Sequence, residues 1–153
     1  MKTIYLDMNI YNRPFDDQSQ IRIRMESLAV NVIFQKVGAK ELKLVWSFIL
    51  DYENSLNPYE HIRIEIEKLS LLASEIIMLN EVIENRAKIY ESKGIKPRDA
   101  LHLACSVESG AEYFITCDDQ IIKKQGELSL DIIIINPIEF IVSAEEKRNG
   151  IFD

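Results

Sequence analysis

Short apolar runs alternate along this chain with segments of helical spacing, and that alternation limits the fold more than any other feature. Lys2–Leu6, Leu42–Trp46, Ile76–Leu79, Tyr113–Thr116 and Leu130–Ile135 are rich in β-branched and aromatic residues, as strands are. The last is apolar at nearly every position, as a strand buried on both faces must be. Between the runs, apolar residues recur every three to four positions. Ile21, Met25, Leu28 and Val32 with neighbouring Ile33 do so over Ile21–Val37, and Ile62, Ile66 and Leu69 do so over Tyr59–Ala73. Ser47 is placed to cap a helix reaching Leu56, Gly94 to stop a helix over Glu81–Lys93, and Pro97 to open one ending near Ser109. Asp119–Lys124 reads as a short helix, Pro137 starts a last helical segment, and Asn12–Asp17 reads as a loop. Strands alternating with helices specify an α/β fold with a mainly parallel sheet. With 153 residues and no linker or repeat, one domain is expected. It covers residues 1–145, followed by a polar C-terminal tail, 146–153.

In open parallel sheets, ligands bind beyond the carboxyl ends of the strands, and acids stand at those ends here. Asp7 closes the first run, and Asp118 with Asp119 closes the fourth. Each alone is explained by loop opening or helix capping. Glu53 is different, because it falls on the stripe of Ile49, Leu50 and Leu56, where a core residue belongs, whereas Asp51 and Asn54 fall on the solvent side. Two readings stay open for Glu53: a rim or arginine-paired carboxylate, or a ligand. Asp99 lies in the first turn of its helix, where the dipole favours its charge. His102 and Ser106 continue from it at helical spacing, as one polar stripe on an otherwise apolar helix that needs partners. Four acids from four segments, without paired histidines or a Cys-x-x-Cys, would hold hard cations such as Mg2+ or Mn2+.

Composition sets bounds on this reading. A hydrophobic fraction of 47% is that of a globular protein, and no apolar run approaches a membrane span, which points to a cytoplasmic protein. Cys105 and Cys117 fall in apolar contexts and read as reduced packing residues. The net charge of −7 opposes tight, non-specific nucleic-acid binding but leaves room for a nuclease whose acids bind cations. Two histidines, His61 and His102, argue against a histidine-rich metal site or relay.

The ordered set Tyr5-Leu6-Asp7-Met8-Asn9, Trp46-Ser47 followed by Glu53, Arg98-Asp99-Ala100-Leu101-His102-Leu103-Ala104 and Phe114-Ile115-Thr116-Cys117-Asp118 resembles the PIN-domain family over essentially the whole chain. The resemblance implies a three-layer sandwich with a five-stranded parallel sheet and a metal-dependent ribonuclease acting on single-stranded RNA. It also implies a toxin of the VapC-like type, held by an antitoxin and often a homodimer. Asp7, Glu53, Asp99 and Asp118 would be its acidic cluster, with Asn9 and Thr116 orienting it; Met8 stands where the family often has a small or hydroxylated residue. Arg13, Lys96, Arg98 and Lys123 neighbour these segments, with RNA phosphate contact and solvated surface charge both open. The right-handed crossover rule and the helix between each strand pair predict the order 3-2-1-4-5.

Other chemistries fit less well. A haloacid-dehalogenase-like phosphatase would use Asp7 and the Asp118-Asp119 pair, but Asn9 stands where it needs a second acid. A receiver domain places its acids in the opposite order. A non-catalytic PIN-like metal- or RNA-binding module would be expected to lose acids from the cluster, and all four are present.

Overall fold

The computed structural model describes residues 1–148 as five strands and nine helices. Strand β1 (Lys2–Leu6) is followed by α1 (Met8–Asn12), a 3₁₀ turn (Arg13–Phe15) and α2 (Ile21–Gly38). Strand β2 (Leu42–Ser47) leads to α3 (Phe48–Ser55) and α4 (Glu60–Ser70), and β3 (Glu75–Ile77) to α5 (Glu81–Ser92) and α6 (Pro97–Glu108). Strand β4 (Tyr113–Ile115) precedes α7 (Asp119–Lys123) and α8 (Gln125–Leu128), and β5 (Ile133–Ile135) precedes α9 (Pro137–Arg148). The remainder of the expected tail, 149–153, lies outside the described residues.

All strand pairs are parallel, and the order is β3-β2-β1-β4-β5. The expected order holds because each crossover carries a helix that must cover a sheet face. Strand β1 is central, and Ile4, Tyr5 and Leu6 are fully buried, so successive side chains on both faces meet helices. Burying each such side chain stabilises the fold by about 1.5–3 kcal/mol. The register Leu6↔Ile115 brings the carboxyl ends of β1 and β4 level, and Asp7 N–H donates to Ile115 O at 3.0 Å. Asp7 and Asp118 therefore leave the sheet on the same edge.

The outer elements depart from expectation in instructive ways. Helix α1 and the 3₁₀ turn occupy a stretch expected to be a loop in part, since five residues are too few to show a period. Strand β5 is confined to Ile133–Ile135. Ser129 turns the chain in a left-handed conformation (φ 51°), and the Gln125 amide bonds Ile132 O and Ile134 N at 2.5 and 2.6 Å, tethering the approach to the strand. In α3, Asn54 is buried and Leu56 is 52% exposed, the reverse of the expected faces. The helix ends at Ser55, and Asn54 Nδ2 turns inward to donate to Arg63 O of α4 at 3.1 Å.

Helix α2 shows the largest departure. The apolar stripe of Ile21, Met25 and Leu28 faces solvent, while Glu26, Ser27, Ala29, Val30, Ile33 and Val37 are buried. The fully buried Glu26 carboxylate lies 3.3 Å from both Arg13 Nε and Arg22 Nε and accepts from Asn136 Nδ2 at 2.6 Å. This polar knot joins α2, the 3₁₀ turn and the start of α9, and it orients the helix against its own hydrophobic pattern. Glu26→Ala is expected to cost about 2–3 kcal/mol by removing the buried acceptor of Asn136 Nδ2 and the buried charge that pairs with Arg13 and Arg22. Urea unfolding with an unchanged m-value checks it, and a loss under 0.5 kcal/mol would contradict the knot's structural role.

Both cysteines are free and buried, and burial pushes the Cys105 thiol up to about 12 and the Cys117 thiol up to about 11, which makes them inert packing groups. Among the described residues no helix is long and apolar enough to cross a membrane.

Candidate functional site

Asp7 is both the end of β1 and the cap of α1, and it is only 5% exposed. Its Oδ1 accepts from Met8 N at 2.8 Å, and its Oδ2 accepts from Thr116 Oγ1 at 2.8 Å and Asn9 Nδ2 at 3.2 Å. Thr116 Oγ1 in turn accepts from Asn9 Nδ2 and from Asp118 N, each at 3.1 Å, while Asn9 Oδ1 accepts from Cys117 N at 3.1 Å. Asn9 and Thr116 thus lock the ends of β1 and β4 together and fix the Asp7 carboxylate. Asp118 caps α7, accepting from Gln120 N at 2.9 Å.

Glu53, on α3, reaches across to α6, where His102 Nε2 is hydrogen-bonded to its Oε1. His102 Nε2 also lies 3.8 Å from Asp7 Oδ1, and its Nδ1 is 2.7 Å from the buried Tyr5 hydroxyl, which is 2.6 Å from Ser47 Oγ. Glu53, Asp7 and His102 each offer an atom within 4.8 Å of the others. The sequence argues against a histidine-rich site, and the structure brings a single histidine to the acids. His102 is 1% exposed and belongs to the cluster, and its place on the polar stripe with Asp99 was the signal for it. Ser106 on the same stripe merely bonds back to Leu103 O at 2.7 Å. Arg98 Nη1 lies 3.9 Å from Glu53 Oε2, so the arginine-paired and cluster readings of Glu53 both hold geometrically.

Electrostatics binds Asp99 to the same group. Burial, followed by the Asp7 charge, raises its carboxyl to about 6; Asp118 and Glu53 add to the rise, and His102 opposes it. Burial likewise raises Asp7, with Glu53 adding and His102, Thr116 and Met8 opposing. Burial would lower His102, but its hydrogen bond to Glu53 and the charges of Asp7, Glu53 and Asp99 more than offset it, so its pKa is raised. Asp99 thus feels the charges of the other three acids expected from the sequence, and Asp7 that of Glu53, with the buried imidazole of His102 opposing the rise at both. Such a set of hard oxygen donors is suited to a divalent cation of the magnesium type, whose charge would relieve the repulsion that adds to the effect of burial at Asp7 and Asp99.

The basic residues separate into two kinds. Arg13 is committed to Asp16 at 3.1 Å and to Glu26, which makes it part of the scaffold. Lys96 is exposed and lines a small cleft with Asp99, Asp118 and Lys124, whereas Lys123 is exposed on α7. Arg98 stacks its guanidinium 5.3 Å from the Tyr52 ring on the rim. Asp119 is clamped by Arg22 through two bonds of 2.8 Å, so the Asp118-Asp119 pair does not act as a unit.

This arrangement can be set beside known proteins. Residues 4–127 match the PIN domain. The chain belongs to the PIN-domain family. Its PIN fold is similar to that of VapBC2 from Rickettsia felis, solved bound to a DNA fragment from its promoter, with a TM-score of 0.55 at 18% identity over 88% of this chain and 98% of that one. At that identity the likeness concerns the fold. No curated protein matches the chain.

Proposed function

We propose that this PIN-domain protein is a magnesium- or manganese-dependent endoribonuclease cleaving single-stranded RNA, and the toxin of a toxin–antitoxin pair. The observation that carries the reading is the convergence of Asp7, Glu53 and His102, whose ligand atoms lie within 4.8 Å of one another, with Asp99 and Asp118 lining one adjoining cleft. A divalent ion held there would supply Lewis acidity at the scissile phosphate and lower the pKa of a nearby water. Asp7, fixed by Thr116 and Asn9, provides the rigid ligand, and Asp99, Asp118 and Glu53 complete the set. One carboxylate positions or deprotonates the attacking water. In-line attack expels the 3′ oxygen, leaving a 5′-phosphate and a 3′-hydroxyl. Lys96 and Arg98, exposed beside the acids, meet the flanking phosphates.

An antitoxin and a second copy of the chain are the protein partners of this reading, in a cytoplasmic setting. The exposed stripe on α2 and the exposed Leu71, Ile76 and Met78 around β3 support apolar interfaces. Likeness to a chain from the VapBC2 complex supports the antitoxin.

The direct test is cleavage of a single-stranded RNA panel by the purified protein in magnesium, in manganese and in chelator. Activity should require the ion. Glu53→Gln keeps size and hydrogen bonding but removes the charge, and it should lower cleavage by about 10–100-fold while the protein stays folded. Full activity in chelator, or in Glu53→Gln, would refute the metal-site reading of the cluster.

A further inference from the structure

Two clefts share residues with the carboxylate cluster. The smaller holds Asp99 and Asp118 with Lys96 and Lys124, a lining suited to phosphate. The larger, about 360 Å³, has Met8 and Glu53 at its inner wall and is otherwise built from the end of α1, the 3₁₀ turn and the α3–α4 turn. Beyond Glu53, hydrolysis makes no use of this larger cleft.

Its lining is of a different kind. Phe15 and Tyr59 line it while remaining 42% and 59% exposed, and Asn12 and Asn57 contribute amides. No lysine or arginine among the described residues lines it, and its acids are already engaged: Asp16 with Arg13, and Glu53 with His102. The wall is built in advance. Asn57 Oδ1 accepts from Tyr59 N at 3.0 Å, Arg63 Nη1 donates to Asn57 O at 2.6 Å, and Asn57 Nδ2 donates to Asn12 Oδ1 at 3.4 Å. That last bond leaves the Asn12 amide nitrogen as a donor. Exposed aromatic rings and amides without a cation suit a flat ring with a polar edge, which is how unpaired bases are held.

We propose that this cleft seats one unpaired base of the RNA strand beside the scissile phosphate, stacked on Tyr59 and Phe15 with the Asn12 amide at its edge. The strand then runs from a base seat at Glu53 to a phosphate-binding cleft at Asp99 and Asp118. The inference rests on the nuclease reading for the identity of the strand. It adds that recognition next to the cut is by base and lies on the α3–α4 side.

The test uses a single-stranded oligoribonucleotide of fixed sequence in which each nucleotide near the cut is made abasic in turn. At one position flanking the cut, loss of the base should raise KM by about tenfold or more. In Phe15→Ala/Tyr59→Ala, intact and abasic substrates should become equal within about twofold. Both residues are exposed, so the double variant should fold, and an unchanged magnesium-induced rise in Tm checks that it has. A second readout places 2-aminopurine at that position and titrates it with Asp99→Asn protein, with and without the two alanines. Its fluorescence should be quenched only when the rings are present. Cleavage that ignores base loss, or a double variant that keeps the discrimination, overturns the base seat and assigns the cleft to a protein segment. Quenching that depends on the rings in a protein that cleaves no RNA would overturn the nuclease reading and leave the seat standing.

Discussion

Asp99→Asn will lose RNA cleavage by more than about a hundredfold, and in chelator it will melt about 2–4 °C higher than the parent. The second half of that result separates a metal site from a helix cap. Asp99 sits in the first turn of α6, where its charge alone stabilises the helix by about 0.3–1 kcal/mol. Against this, its pKa is raised from 3.8 to about 6 by burial and by Asp7, Asp118 and Glu53. The folded protein therefore holds a proton that the unfolded chain has already released, and stability falls as pH rises from about 4 to about 6. For a carboxyl partly open to water this costs about 1–2 kcal/mol at neutral pH after screening. Asparagine removes the cost and the ligand together. The parent should gain Tm on adding magnesium, as ligand linkage requires, and the variant much less. Thermal melts of both proteins in magnesium and chelator measure this. Equal magnesium stabilisation together with equal cleavage would remove Asp99 from the site.

His102→Gln should destabilise the chelated protein by about 2–4 kcal/mol near pH 6, because it removes the imidazolium between Asp7 and Glu53 and one of the two hydrogen-bond partners of the buried Tyr5 hydroxyl. The loss should shrink at higher pH. The folded pKa of His102 is raised above the ordinary 6.5, so its contribution is complete below that value and fades as pH climbs through the folded pKa. Urea denaturation of parent and variant from pH 5.5 to 9 reads the difference directly. A gap that stays constant over that range would mean that the histidine is neutral throughout and serves only as a packed hydrogen-bond partner. In magnesium the dependence on His102 should weaken, since the ion and the imidazolium neutralise the same carboxylates.

The sequence alone determined the sheet. The central strands β1, β2 and β4 are short runs whose later residues are buried on both faces, and each crossover has a helix-length segment, so burial and handedness favour parallel order 3-2-1-4-5. It also singled out the acids proposed for the site, because Asp7 follows β1 directly, Asp118 lies just beyond β4 and Glu53 shares a helix face with the buried Ile49. Three matters were left to the tertiary structure. The solvent-facing stripe of α2 was illegible because helical period gives a spacing and not a direction; the Glu26 knot with Arg13, Arg22 and Asn136 chooses the face. The burial of Asn54 depended on a partner carbonyl at Arg63, in the next helix. The role of His102 was half legible, because its place on the polar stripe with Asp99 called for a partner without naming one. Only the packing of α6 against β1 and α3 places it between Tyr5 and Glu53. Local pattern fixes which surfaces must be buried; which buried polar groups meet is decided by contacts far apart in the chain, where the need to satisfy each desolvated atom selects one arrangement.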